Sequence, residues 1–225
     1  MKKLFSEYKT LFKDKKYKKS LMLGIFLLLL AGIISALAIS YADRAYGNSL
    51  GDLILDNIPK FNFFWFRTYG TALITISILF LAIIKPRYIP ALSKSIGLMY
   101  IIRACFIAMT HLKFHPEKIA IPSQYLFSQS IFQGNDLFFS GHVAFPFLVA
   151  LFFWNDKKIR YCLISATIIS GLVSLFAKTH YSIDIFATPF ITYSIFKISE
   201  VIFKKDFDFI KINQKIKFKN DVPHT

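Results

Sequence analysis

The stretch LMLGIFLLLLAGIISALAISY (residues 21–41) has no charged residue and is long enough to cross the hydrocarbon core of a bilayer. The rest of the chain has the same character. Of its 225 residues 55% are hydrophobic and 26 are Phe, and the mean hydropathy is +0.48. This composition is too apolar for an ordinary soluble domain of this length and predicts an integral membrane protein.

Six apolar segments predict an all-α membrane protein with six transmembrane helices. They cover residues 21–41, 68–84, 88–112, 137–154, 159–177 and 183–203. The second is short and the fourth is interrupted by His142. A signal peptide is the alternative for the first segment. We interpret it as a retained helix, because it is longer than a typical signal core and follows about 20 Lys-rich residues.

The distribution of Lys and Arg predicts the orientation of these helices. The two termini and the loops after the second and fourth segments carry nineteen basic residues, whereas the other three loops carry six. The positive-inside rule therefore places both termini in the cytoplasm. It divides the chain into a basic N-terminal segment (1–20), a six-span membrane domain (21–203) and a basic tail (204–225).

The net charge of +15 does not indicate a nucleic-acid partner. The basic residues lie at the termini and in short loops, where they set topology and attract anionic lipid, and they form no basic face on a soluble module. The two cysteines, Cys105 and Cys162, lie in apolar runs and imply no disulfide framework.

Titratable residues gather at one predicted depth. The stretch FFSGHVAFPF (138–147) places His142 among phenylalanines, about 8 Å into the fourth span as counted from residue 137. The sixth span begins near His180, and Asp184 follows four residues later, on the same helical face. Ionisable groups inside a membrane are functional by default, although each alone is also compatible with a structural role.

These three residues favour a phosphoryl-transfer site. A carboxylate bonded to one imidazole nitrogen fixes the tautomer and makes the other nitrogen a better nucleophile. We therefore expect His180, held by Asp184, to attack phosphorus, and His142 to act as general acid and base. Ser140 and the N–H groups around Gly141 would donate to phosphoryl oxygens.

At these residues the chain resembles a known family. FSGH (139–142) and HYSID (180–184) resemble motifs of the type 2 phosphatidic acid phosphatase (PAP2) superfamily, in particular its sphingomyelin synthase-like branch. GNDLFFSGH (134–142) is similar to a further segment of that branch, with Asp136 on its acidic position. RACFIAMTHL (103–112) and LGDLILDNIP (50–59) resemble two others more loosely.

The resemblance implies a PAP2-like bundle of six helices with its active site on the non-cytoplasmic side. It also implies a triad of His142, His180 and Asp184, lipid phosphoester substrates, and no metal or other cofactor. Phosphatases of the superfamily pass the phosphoryl group to water, whereas synthases pass a phospho-headgroup to a lipid hydroxyl. The motifs favour the synthase. The short chain favours a bacterial cell membrane over an organelle membrane.

The chain departs from the superfamily in its cations. The Lys-x6-Arg-Pro motif of the phosphatases is absent, and Ser174 stands where they carry Arg, six residues before the second histidine. Arg103 and Lys178 remain as candidates to bind substrate phosphate. Either could instead have a structural role, since Arg103 could pair with a carboxylate and Lys178 could be a loop charge.

Other interpretations stay open. A transporter or a scaffold without chemistry is the alternative from another class, although transporters carry polar residues at the membrane midplane and here they gather at one end.

His111 and His115 are four residues apart but have no further ligands that would complete a metal site. Asp52 and Asp56 either line the site mouth or are solvated. Tyr181 is expected in an interfacial aromatic belt.

Overall fold

The computed structural model describes residues 2–45, 47–118 and 136–211, and these are helical with connecting loops and no strand. The helices are α1 (Lys2–Leu11), α2 (Lys15–Arg44), α3 (Phe64–Ile84), α4 (Ile89–Thr110), α5 (Gly141–Phe152), α6 (Lys157–Phe176) and α7 (Ser182–Ile202). A single 3-10 turn, Pro86–Tyr88, leads into α4, and residues 204–211 are helical after α7. Parts of the loop 113–136 and of the tail 204–225, and the first two residues of the quoted motif 134–142, lie outside the described residues.

Five of these helices are long and apolar enough to cross a membrane. They are α2, α3, α4 with the turn before it, α6 and α7, and they correspond to five of the six predicted spans. The helical, multi-pass architecture expected from the sequence is therefore supported.

The predicted fourth span, 137–154, is different. It is helical only as α5, whose 12 residues rise about 18 Å, against about 30 Å for the hydrocarbon core. Residues 138–140 are not helical, because Ser140 adopts an extended backbone (φ −65°, ψ 112°) and α5 begins only after it. Six full spans are therefore not confirmed. His142 is the second residue of its helix, so its predicted place about 8 Å inside a helix was wrong.

Helix α2 packs along α4 through small side chains. Its buried positions Gly24, Ala31 and Ala38 recur every seventh residue, which keeps one face toward the neighbouring helix. On α4, a Cβ at Gly97 would lie 3.1 Å from the backbone of Leu27, closer than an ordinary contact. Small residues allow such close approach, which drives helix association where the hydrophobic effect cannot.

The contacts between loops define two ends of the bundle. At the first, which we call the site end, the phenol of Tyr181 donates to the carbonyl of Lys113 (2.8 Å) and accepts from the N–H of Leu50 (3.0 Å). At the second, the terminus end, the phenol of Tyr17 donates to the carbonyl of Pro86 (2.8 Å). The chain thus brings the loops 45–63, 111–118, 136–140 and 177–181 together at the site end.

Candidate active site

His180 and Asp184 meet at the start of α7. The imidazole Nδ1 of His180 lies 3.4 Å from Oδ2 of Asp184, and both side chains are almost completely buried. The predicted contact is present, but the residues do not share a helical face as expected, because α7 begins at Ser182 and His180 precedes it. Asp184 instead lies in the first turn, where a helix N-terminus stabilises negative charge.

The tautomer of His180 is set mainly by a backbone carbonyl. Nδ1 lies 3.0 Å from the carbonyl oxygen of Leu137, which can only accept a hydrogen bond. Nδ1 therefore carries the proton in the neutral ring, and Nε2 keeps the lone pair that a nucleophile needs. The sequence pointed to Asp184 for this role and missed Leu137, because a backbone acceptor leaves no signal in residue type.

Asp184 ties the two motifs together through its side chain and its backbone carbonyl. Its Oδ2 accepts from the N–H of Tyr181 (3.0 Å), and its backbone carbonyl accepts from the hydroxyl of Thr188. The oxygen of that hydroxyl in turn accepts from the N–H of Ser140 (3.1 Å). Among the described residues, Oδ1 of Asp184 and Oγ of Ser140 have no hydrogen-bond partner although both are buried. Unpaired buried polar atoms are costly, so these two would gain most from a ligand or water.

His142 faces His180 across the site. The two ring centroids are 6.2 Å apart with an angle of 64° between the planes. Nucleophilic attack needs about 3–3.5 Å between nitrogen and phosphorus, and proton transfer needs a hydrogen bond of about 2.6–3.2 Å. The two imidazoles border one small space, and a phosphoryl group bound there would meet both rings.

Arg103 holds the entry to α5 in place. Its Nε donates to the carbonyl of Phe139 (2.6 Å), and one Nη donates to the carbonyl (2.6 Å) and to the carboxylate (3.2 Å) of Asp136. The guanidinium also packs against Gly141, where a Cβ would lie 3.4 Å from Nε. Arg103 is thus buried against the residues 136–141, and the structure shows it pairing with a carboxylate rather than standing open to a ligand.

Lys178 is also engaged. Its ammonium forms a short ion pair with Glu117 and is buried, and its backbone is left-handed (φ 50°) just after α6 ends. This hydrogen bond lowers the pKa of the Glu117 carboxyl below its ordinary value. The two cations that the sequence offered for phosphate binding therefore both have carboxylate partners.

Asp52 stabilises the N-terminus of α7 from the loop before α3. Its Oδ1 accepts from the N–H groups of Ile54 (2.9 Å) and Leu55 (3.0 Å), and its Oδ2 accepts from the N–H of Ser182 (2.7 Å). Burial alone would raise the pKa of Asp52, but these donors lower it below its ordinary value. Asp52 is therefore a capping residue buried beside the site.

The neighbours of Asp52 are paired in the same way. Asp56 accepts from Nε2 of His115 (2.9 Å) and from the N–H of Asp52, and these bonds lower its pKa.

Tyr181 is only 2% exposed, so its expected place in an aromatic belt was wrong. His111 and His115 have different environments, since His111 packs edge-on against Tyr41. Within the described ranges, no three His, Cys, Asp or Glu side chains form a cluster that could hold a metal ion.

A small pocket opens beside His142. It is lined by His142, by Ser174 and Ser170 of α6, and by Arg67 of α3, with apolar side chains completing the wall. In the sequence, Arg67 is one of the six basic residues counted in the three non-cytoplasmic loops, and it was assigned no other role. A cation at the start of an apolar segment was the available signal, but nothing in the sequence alone places α3 next to α5.

One family model matches the chain. The model described as PAP2 superfamily C-terminal matches residues 133–201, which include His142, His180 and Asp184. No curated protein and no solved structure matches the chain. The matched region includes both histidine motifs and begins just before the loop that Arg103 holds. This match supports membership of the chain in the PAP2 superfamily.

Proposed function

We propose that this protein is a membrane enzyme that transfers a phospho-headgroup from a phospholipid to a lipid hydroxyl through a phosphohistidine at His180. The family match and the apolar helices support an enzyme of the lipid phosphatase type. The observation that carries the proposal is the pair of imidazoles 6.2 Å apart, one of which has its Nδ1 committed to a backbone carbonyl.

The first half of the proposed reaction forms the covalent intermediate. Nε2 of His180 attacks phosphorus, and the bond between phosphorus and the oxygen of the leaving alcohol breaks. His142, protonated at this stage, gives its proton to that oxygen. Asp184 and the carbonyl of Leu137 stabilise the positive charge that develops on the His180 ring, while Ser140 and the N-terminal N–H groups of α5 bind phosphoryl oxygens.

The second half regenerates the histidine. The neutral His142 takes the proton from the acceptor hydroxyl, whose oxygen attacks phosphorus, and the bond between phosphorus and Nε2 of His180 breaks. A lipid hydroxyl as acceptor gives a new phospholipid, and water gives a free phosphorylated headgroup or phosphate. The sphingomyelin synthase-like motifs favour the lipid acceptor. The phosphatase is the second candidate, because the matched family is the PAP2 superfamily as a whole.

An acceptor assay distinguishes the two reactions. Purified protein is incubated with a headgroup-labelled phospholipid, with and without diacylglycerol or ceramide, alongside His180→Ala. A labelled lipid that requires both the acceptor and His180 supports the transferase. Label released into water under both conditions identifies a phosphatase. If label moves equally with His180→Ala, the proposed nucleophile is wrong.

We further propose that the site end faces the non-cytoplasmic side, as the distribution of Lys and Arg indicates. Leu53 is 85% exposed at this end and is a suitable reporter. In a Cys105→Ser/Cys162→Ser background, Leu53→Cys should react with a membrane-impermeant thiol reagent added outside intact cells. Labelling of inverted vesicles but not of cells would reverse the topology.

A further inference from the structure

We propose that Arg67 is the cation that binds the substrate phosphoryl group, in place of the arginine that lipid phosphatases carry at the position of Ser174. This inference rests on the proposed function and names the group that recognises the charged part of its substrate. It starts from the finding that Arg103 and Lys178 are both held by carboxylates. A site that binds a phosphoester otherwise has no uncommitted guanidinium among the residues that the motifs suggest.

Arg67 lies where such a cation is needed. It is the fourth residue of α3, at the site end, and lines the pocket that His142 and Ser174 also line. Two neighbouring helices thus present different residues to one space. An arginine at Ser174 would enter this space from α6, whereas Arg67 enters it from α3. A guanidinium that reaches the pocket from α3 would explain how the chain can carry serine at 174.

The guanidinium of Arg67 has no strong partner in the part of the chain that the structure describes. There it makes no side-chain hydrogen bond and has no carboxylate within 4 Å, although the side chain is only partly exposed. The carboxylate of Asp136 interacts electrostatically with Arg67, but it is bonded to Arg103 at 3.2 Å. A partly desolvated guanidinium stands to gain from an anion, and its forked donors match phosphoryl oxygens.

The surroundings of Arg67 add positive charge. Lys118 lies close enough to interact electrostatically with Arg67, and burial together with that neighbouring charge lowers the pKa of Lys118 to about 7. An anion bound near both groups would favour the charged form of Lys118 and offset its repulsion with Arg67. Arg67 also interacts electrostatically with His142, so its charge lies near that ring, and a bound anion would offset its repulsion of a protonated imidazole.

The size of the pocket suits one or two phosphoryl oxygens. Its free volume is about 30 Å³, room for about one or two atoms the size of a water oxygen. Apart from Arg67 and His142, its polar lining consists of hydroxyl groups, from Thr71, Ser170 and Ser174, and the remaining residues are apolar or Gly. A phosphoryl group between the two imidazoles can place an oxygen here, while the lipid part of the substrate stays outside.

The test compares Arg67→Gln with Arg160→Gln, which makes the same change at an arginine near the other end of α6. For Arg67→Gln we expect kcat/KM for the labelled phospholipid to fall about 100-fold, and inorganic phosphate to stop raising the melting temperature of the purified protein. Arg160→Gln should behave as wild type in both measurements. Wild-type kinetics and an unchanged phosphate response in Arg67→Gln would overturn the inference.

Two further variants keep the test decisive if Arg67→Gln folds poorly. Arg67→Lys retains the charge but loses the forked geometry, and it should lose about 10-fold in kcat/KM. Arg67→Gln/Ser174→Arg places a guanidinium in the pocket from α6 instead of from α3. It should recover part of the activity that Arg67→Gln loses. A structural role, in which Arg67 only balances Asp136, predicts wild-type kinetics for Arg67→Lys and no recovery in the double variant.

Failure of the proposed function would look different from failure of this inference. If the wild type turns over no lipid phosphoester but phosphate still stabilises it in an Arg67-dependent way, the anion site stands and the reaction is wrong. If the wild type is active and His180→Ala is not, while Arg67→Gln matches the wild type, the reaction stands and Arg67 is not its phosphate ligand.

Discussion

The two ends of the bundle differ in how a buried charged group is satisfied. At the terminus end, the ammonium of Lys94 is buried inside α4 but donates to Asp206 (2.6 Å) and to Ser20 (2.7 Å). The hydroxyl of Ser20 also donates to Asp206 (2.5 Å). At the site end, by contrast, the carboxylate of Asp184 is completely buried and one of its oxygens has no partner among the described residues.

This difference separates a structural polar cluster from a functional one. Burial of an ion is costly and is offset only when partners satisfy its hydrogen bonds, as they do for Lys94. Polar groups left unsatisfied at the site end raise the free energy of the empty protein, a cost that a bound substrate would remove. We therefore expect substitutions at the site end to change turnover more than stability, and substitutions at the terminus end to do the reverse.

The largest expected effect is that of His180→Ala on turnover. Removal of the nucleophile should lower kcat by at least about 1,000-fold, because the covalent intermediate can no longer form at position 180. The melting temperature should fall moderately, because the variant removes a buried side chain from the carbonyl of Leu137 and from the carboxylate of Asp184, but the folded protein should remain. Headgroup transfer and thermal unfolding in detergent measure the two quantities.

His111→Asn is the matched control for this variant. His111 also lies at the site end, in a left-handed backbone conformation that asparagine tolerates, but it contacts Tyr41 instead of the triad. Its turnover should stay within about twofold of wild type. Equal losses in the two variants would mean that the site end tolerates no histidine substitution at all, and the separation of roles would fail.

Lys94→Met should give the opposite result at the terminus end. It leaves the carboxylate of Asp206 without its cation and should lower the free energy of unfolding by about 3 kcal/mol. Turnover per folded molecule should not change, because Lys94 lies at the far end of α4 from Arg103. The double variant Lys94→Met/Asp206→Leu should recover most of the stability. A loss of activity without a loss of stability would break the comparison.

The sequence predicted the elements of this fold better than their ends. The long apolar runs identified five helices, because length and hydropathy alone decide which segments can span a bilayer. The start of α5 was misplaced, since residues 138–140 are as apolar as a helix requires. Arg103 and Thr188, from two other helices, bind this segment in a non-helical conformation. Such tertiary bonds have no local signature.

The candidate site was predictable to the same extent. The motifs identified His142, His180 and Asp184, and the structure brings them together, but it also assigns tasks that residue type does not reveal. Arg103 and Lys178 were natural candidates for phosphate because they are cations near the motifs. Their carboxylate partners, Asp136 and Glu117, lie 33 and 61 residues away in sequence, so only the fold shows that both charges are committed.

Asp52→Asn sharpens the comparison at the level of helix caps. An amide cannot accept at both of its terminal atoms, so either the bond to Ser182 or both bonds to Ile54 and Leu55 are lost. We expect a loss of about 1 kcal/mol of stability. Because α7 carries Asp184 and begins two residues after His180, kcat should also fall, by a few-fold.

Asp14→Asn is the control, since Asp14 caps α2 at the terminus end through Lys16 (2.8 Å). It should change neither quantity, and equal losses of kcat would refute the role of Asp52 as a positioning residue.

The smallest expected effect is a dependence of stability on acid pH that originates at the site end. The pKa values of Asp52 and Asp56 are lowered from the ordinary 3.8, by backbone N–H groups and by His115. A carboxyl with a lowered pKa binds fewer protons when folded than when unfolded. Its contribution to stability is therefore complete above the ordinary pKa and is lost as the pH falls through the folded value. The melting temperature should fall below about pH 4, and less steeply in Asp52→Asn/Asp56→Asn than in wild type. Parallel curves for the two proteins would show that the acid sensitivity lies elsewhere, and the site end would then not be the part of the bundle that depends on ionised carboxylates.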